Sequence, residues 1–332
     1  MADNKSTIES KHFQVYIDPK CRGQGKQTYE EYFSAMSNSG IHLIYDKIEM
    51  NAIYLLSIEM PNSFSISKRQ LTELQYLREP GFTYKDRDTL IICGGYNKKI
   101  KMATNACYEY SICTNEFTRL PDMITPRSKF VIFYQYNKIY VFGGDDTEHF
   151  ENLLKNCEYF DYATKKWIRM ADLNRCQCNG SVINYKDEFW LIGGSFNDNE
   201  NYLIERYIKS KNLWEIVDIN FGSDFNYSCF LLSPCENEIL ILYNYLGIST
   251  ICKLNLMDHT LIVVQELANR GREPLQVIPV DENKMMVMYG NCYRGYGFIL
   301  YDIKKGILFD HCPSSLYQYF PTKIFMGVYN VL

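Results

Sequence analysis

What this sequence has little of narrows it first. Its apolar runs, such as Ile53-Tyr54-Leu55-Leu56 and Ile239-Leu240-Ile241-Leu242, stop after a few residues. A helix that spans a bilayer needs ~20, so no such span is expected. Neither sign of charge dominates: 35 basic residues stand against 39 acidic ones, a net charge of −4. Such a chain has no global field to draw in nucleic acid or anionic lipid, and neither is expected as a partner. The opening residues have no apolar core and carry Asp3 and Glu9 where a mitochondrial presequence would carry arginines. A cytoplasmic protein is the expectation. Histidine is scarce at five residues, and none of the 12 cysteines forms a Cys-x-x-Cys pair. The doublet Cys176-Gln177-Cys178 lacks a second pair or a nearby histidine at zinc spacing. No metal or other cofactor is expected, and the cysteines read as thiols that pack like small hydrophobes.

Aromatic residues, by contrast, are abundant: they make up 15% of the chain, and 28 are tyrosines. Large rings of this kind suit half-buried strands. A strand-like apolar run ending in paired glycines recurs from Thr89 to Gly94-Gly95, Lys138 to Gly143-Gly144 and Glu188 to Gly193-Gly194. Two eroded copies run from Glu238 to Tyr243-Asn244 and from Lys284 to Tyr289-Gly290. The intervals between copies are 49, 50, 50 and 46 residues. A period near fifty marks a repeat architecture. Each copy follows a polar turn such as Tyr136-Asn137 and an earlier apolar stretch such as Phe130 to Phe133, which is a hairpin pattern. A second hairpin follows each loop. Its markers, always seven apart, are Tyr110 and Phe117, Phe160 and Trp167, Tyr207 and Trp214, Leu254 and Leu261, and Tyr301 and Leu308. Each repeat is therefore four short antiparallel strands, one propeller blade.

These residues resemble the kelch-repeat family. Gly143-Gly144, Tyr159-Phe160, Trp167, Met170 and Arg175 carry the best match, and Tyr110, Phe117, Pro121-Asp122-Met123 and Arg127 carry another. The resemblance runs from about residue 41 to 332, strongest between 89 and 217; the fourth and fifth copies lack the double glycine and have leucine where tryptophan is usual. It implies an all-β, six-bladed kelch-type β-propeller. Full repeats are expected at 72–120, 121–170, 171–217, 218–264 and 265–312, and the sixth joins the C-terminal run 322–332 to N-terminal strands at 41–45, 51–57 and 63–67, or else takes two strands from each end. Pairing the chain ends removes exposed sheet edges. Residues 1–40 read as an arm whose first dozen residues are mobile. Within it Tyr29, Tyr32, Phe33 and Met36 make one helix face after a capping-box start at Thr28.

In a propeller the loops joining second and third strands share one face, and loops on a rigid scaffold are where binding residues gather. Lys98, Lys99 and Lys101 lie in the first such loop, Asp145, Asp146, His149 and Glu151 in the second, and Phe196, Asp198 and Glu200 in the third. A basic sector beside an acidic one suits a protein or peptide of mixed charge. The resemblance adds Arg127 and Arg175 as arginines that face the mouth and grip a carboxylate, or that instead hold blades together. Tyr96, Tyr245 and Tyr293 are candidate aromatic anchors, alongside Phe196. No catalytic residue is expected: the sequence holds no Gly-x-Ser-x-Gly, phosphate loop or sialidase box, and only His149 and His311 fall on the loop-rich side. The reading is a non-catalytic adaptor, scaffold or target-recognition module, with a catalytic or small-molecule-binding propeller as the alternative. Some forty residues before the ring leave no room for a BTB or F-box domain, so service to a ubiquitin ligase or a cytoskeletal assembly would need a separate subunit.

Overall fold

The computed structural model describes residues 10–14, 41–46, 52–59, 63–86, 88–149, 151–194, 204–217, 219, 226–235, 237–245, 248–267, 273–281, 284–291, 295–302, 306–311 and 324–325. Among these, helix is confined to the 3₁₀ turns Thr72–Leu74 and Lys209–Lys211. No helix among the described residues is long and apolar enough to cross a membrane. The strands pair antiparallel and, with the turns and loops between them, fall into two compact units. The larger spans Tyr76–Ala268, and the smaller joins Met1–Gln75 to Asn269–Gly327.

The larger unit stacks four four-stranded sheets. The first holds Gly81–Tyr84, Thr89–Cys93, Cys107–Ser111 and Glu116–Leu120, and the second Val131–Gln135, Lys138–Phe142, Cys157–Asp161 and Lys166–Arg169. Ser181–Tyr185, Glu188–Ile192, Ile204–Ile208 and Leu213–Val217 form the third, and Asn226–Cys235, Glu238–Tyr245, Ile248–Asn255 and Leu261–Leu267 the fourth. Within each, strands follow chain order. The core lies between successive sheets: Ile91, Cys93, Val141 and Phe160 fill the first gap, Phe133, Phe142, Phe189 and Trp214 the second, and Trp190, Ile204, Ile239 and Leu254 the third. Cys93, Cys107 and Cys157 are wholly buried thiols, and burial pushes the Cys157 thiol up to about 12.

The turn chemistry explains the expected spacings. In the first hairpins of the second and third sheets, Tyr136-Asn137 and Lys186-Asp187 all have positive φ, as a two-residue type I′ turn requires to match strand twist. In the second hairpins the seven-residue markers sit directly opposite: Tyr110 faces Phe117, Phe160 Trp167, Tyr207 Trp214 and Leu254 Leu261. Five residues past each first marker the chain turns left-handed, at Asn115, Lys165, Asn212 and His259. The Tyr110 and Tyr207 hydroxyls donate to the Asn115 and Asn212 amide oxygens, tying ring to turn.

The smaller unit holds two sheets. One contains Glu273–Asp281, Lys284–Asn291, Gly295–Asp302 and Gly306–His311, and its last hairpin departs from the expected register. Tyr301 faces Ile307, not Leu308, because a register shift falls between Leu300 and Tyr301. The other is five-stranded, in the order Ser10–Gln14, Ser63–Gln70, Ala52–Glu59, Ile41–Asp46, Ile324–Phe325. Chain ends meet there, with Tyr45 opposite Phe325 and Asp46 opposite Ile324. Ser10–Gln14 pairs along Ser63–Gln70, so the stretch expected to be mobile reaches into a strand at its end. The helix expected after Thr28 lies outside the described residues.

Candidate functional site

Buried ionic clamps hold the acidic loop of the larger unit and the segment that enters its second sheet. The paired glycines make room for them. Gly94 and Gly95, Gly143 and Gly144 all have positive φ, and a Cβ on Gly94 or Gly143 would lie 2.4 Å from the Arg127 carbonyl oxygen or 2.3 Å from that of Gln177. The backbone of the next sheet thus rides directly over the turn: the Gly95 and Gly144 amides donate to those same oxygens, each at 2.8 Å.

Arg127 is fully buried. Its guanidinium donates to the carbonyls of Gly143 (2.6 Å) and Asn156 (2.7 Å) and to the Glu158 carboxylate (2.8 Å). Glu158, also buried, accepts in addition from the amides of Ile124 (2.7 Å) and Thr125 (3.0 Å). Burial lowers the Arg127 pKa from its ordinary value, and Glu158 opposes that shift. Arg127 therefore does not line the surface; it locks the segment entering the second sheet against that sheet's own strands.

The expected equivalence of Arg127 and Arg175 also changes. Because Val131 and Ser181 both open their sheets, the residue matching Arg127 is Gln177, and both follow from the shared glycine-turn contact. Glu205 matches Glu158, is buried, and accepts from the amides of Asn174 (2.9 Å) and Arg175 (3.2 Å). Gln177 is 1% exposed, and among the described residues neither its Nε2 nor its Oε1 has a hydrogen-bond partner. Arg175 is half-buried at the edge of this cluster.

A second clamp fixes the acidic loop. Lys129, 6% exposed, places its ammonium 2.8 Å from Asp145 Oδ2 and donates to the Glu148 carbonyl at 2.8 Å. Asp145 is fully buried and accepts from the amide and hydroxyl of Thr147 at 2.9 and 2.8 Å. Burial alone would raise its carboxyl, but the bonds from Lys129 and Thr147 outweigh that and hold it below the usual carboxylate range. Asp145, like Arg127, is thus an internal fastener and not a contact residue. Lys129, Glu158 and Glu205 were not singled out from the sequence. For Glu158 and Glu205 the available signal was an acid directly after the buried residue that opens the third strand of its repeat, Cys157 or Ile204.

The surface itself carries the rest. Asp146 is half-buried and paired to the Asn152 amide, and His149 is exposed, 3.9 Å from a Glu148 carboxylate oxygen. Tyr96 is buried at 7% exposure within a three-stranded sheet of Leu77–Arg78, Tyr96–Asn97 and Met102–Ala103. It packs there in place of standing out as an anchor. Lys98 and Lys99 lie at the tip of that sheet's hairpin with Ile100, Lys101 and Met102. The Arg78 guanidinium reaches Glu148 at 3.2 Å and so joins the hairpin's sheet to the acidic loop. Phe196, Asp198 and Tyr293 lie outside the described residues, and so does the Tyr245 side chain.

Stacked four-stranded sheets, glycine-paired turns and aromatic markers at fixed spacing define a class of β-repeat protein. Residues 126–174 match the model of the kelch motif. The chain is similar to the Kelch repeat protein C2 of Vaccinia virus (strain Western Reserve), 22% identical over 64% of this chain and 42% of that protein. It is also similar to Kelch-like protein 41a of Danio rerio, 27% identical over 38% of this chain and 20% of the relative, and to Alpha-scruin of Limulus polyphemus, 23% identical over 32% and 12%. The chain is thus related to kelch-repeat proteins and carries their motif, while its match spans less than half the length of the poxvirus relatives.

Proposed function

We propose that this chain is a non-catalytic interaction module that binds a protein or peptide segment with the loops of its first three repeats. The observation that carries the reading is the pairing of oppositely charged loops on a clamped scaffold: the basic hairpin at 98–101 stands beside the acidic loop at 145–151, joined by Arg78 and Glu148. The buried Lys129–Asp145 clamp beneath the acidic loop and the Asn97 turn of the basic hairpin cut the ordering cost of binding. Similarity to kelch-repeat proteins, which serve generally as interaction modules, supports the same reading. A six-bladed β-propeller over residues 41–332, with residues 1–40 as an arm, is the architecture proposed for it; five four-stranded sheets and the pairing of Ile324–Phe325 with Ile41–Asp46 support that count. A cytoplasmic adaptor, scaffold or target-recognition subunit is the role proposed, without catalysis or cofactor, acting in a ligase or cytoskeletal assembly.

Charge reversal tests it. Asp146→Lys and Arg175→Glu should each weaken a partner recovered from native extract while leaving the melting temperature within a degree or two of wild type. Unchanged recovery by both variants would contradict the reading.

A further inference from the structure

The hairpin at residues 96–103 has a composition and geometry unlike the loops around it. Three lysines fall within four residues, at 98, 99 and 101, and the remaining tip residues are apolar. Ile100 is 60% exposed, Met102 62% and nearby Tyr76 41%. Four lysines elsewhere in the larger unit are matched by acids, Lys85 with Glu109, Lys129 with Asp145, Lys138 with Asp161 and Lys253 with Glu238, while isolated ones such as Lys155 and Lys186 donate to the Asn174 carbonyl and the Asn237 side chain. Among the described residues, no carboxylate lies within ion-pair distance of Lys98, Lys99 or Lys101.

The tip is ordered. The Asn97 side chain accepts from the amides of Lys99 (2.9 Å) and Ile100 (3.3 Å), an Asx-turn that fixes the start of the bend. Lys101 takes a positive φ to finish it, the Lys98 amide donates to the Tyr76 carbonyl at 2.9 Å, and the Lys99 ammonium lies 5.7 Å from the Tyr76 ring centre. The ordered backbone therefore presents three lysines without a carboxylate partner among the described residues, together with two exposed apolar side chains, on one short turn. Three like charges within four residues favour an anionic partner, and Ile100 and Met102 leave apolar surface in water that a partner would cover.

We propose that the 96–103 hairpin is the docking element for an acidic segment of a partner protein in which carboxylates alternate with apolar residues. This rests on the interaction reading above and deepens it. The three lysines meet the carboxylates, and Ile100, Met102 and the Tyr76 ring take the apolar side chains. A flat anionic bilayer fits less well. Glu148, tied to Arg78 of the hairpin's own sheet, puts negative charge beside the basic tip that a broad anionic surface would meet, whereas a narrow peptide engages the tip alone.

The test is fluorescence anisotropy on the full chain with a fluorescein-labelled peptide of repeated Asp-Glu-Leu triplets. A Ser-Gln-Leu peptide is the control, and phosphatidylserine/phosphatidylcholine vesicles are assayed beside it. The acidic peptide should bind, weaken as salt is raised, and lose about tenfold or more in affinity in the Lys98→Glu/Lys99→Glu/Lys101→Glu variant. Ile100→Ser/Met102→Ser should cost several-fold while leaving the salt slope intact. Absence of acidic-peptide binding, equal binding by the charge-reversed chain, equal binding of the control peptide, or vesicle binding that depends on the lysines while peptide binding does not, would each overturn the proposal. Recovery of a protein partner that responds to Asp146→Lys but not to the lysine reversals would overturn this inference and leave the broader interaction reading standing.

Discussion

Replacing Arg127 by methionine leaves Glu158 buried beside two backbone amides with its counter-charge gone. Loss of one partner from a buried ion pair typically costs about 3–5 kcal/mol, so Arg127→Met should lower the urea midpoint sharply without reaching any surface contact. Gln177 is the reciprocal case. Its buried amide finds no partner among the described residues, and each orphaned polar group costs about 1–3 kcal/mol. Gln177→Arg should place a guanidinium near Glu205 and raise the melting temperature; a lowered one would show that this repeat lacks space for the clamp of the repeat before it. Asp145 makes a pH prediction. Its folded pKa is depressed, so its stabilising contribution is complete above the unfolded value of about 3.9 and is lost as pH falls through the folded value. Wild-type stability should therefore drop below about pH 4 more steeply than that of Asp145→Asn, as read by denaturant midpoints across the acid range.

At the scale of elements, the left-handed residue five past each aromatic marker sets the second hairpin. Lys165 holds that position with φ +55 and no side-chain bond to its marker, whereas Asn115 and Asn212 are each bonded to a tyrosine hydroxyl. Glycine relieves the steric penalty but loosens the unfolded chain, so Lys165→Gly should gain roughly 0.5 kcal/mol, while Asn212→Gly should lose stability with its bond. Thermal melts of the two variants moving in the same direction would contradict this account of the turn. Much of this level was readable in the sequence. Glycine pairs, the fifty-residue period and the seven-residue marker interval located four-stranded units because each reflects a local backbone requirement. Long-range partners were less legible: nothing near Arg127 in the chain announces Glu158, and the two-residue offset that puts Gln177 in its place shows only when strand starts are matched. The register shift that seats Ile307 opposite Tyr301 was hidden because a bulge leaves no mark on apolar periodicity.

On the scale of the whole molecule, the scaffold uses charge in two ways: inside the second repeat as fasteners, and outside as loops of opposite sign. Arg127 and Asp145 belong to the first group, Lys98, Lys99, Lys101 and Asp146 to the second. Surface loops so separated from the fold's stability can vary without unfolding it, which is what a recognition module requires. The central claim is that recognition happens at these loops. Hydrogen–deuterium exchange of the full chain, alone and with its recovered partner, tests that claim most directly. The account predicts slowed exchange at residues 96–103 and 145–153, with little change in the hairpin turns near Asn115, Lys165 and Asn212. Protection confined to those turns, with the two loops unchanged, would contradict it.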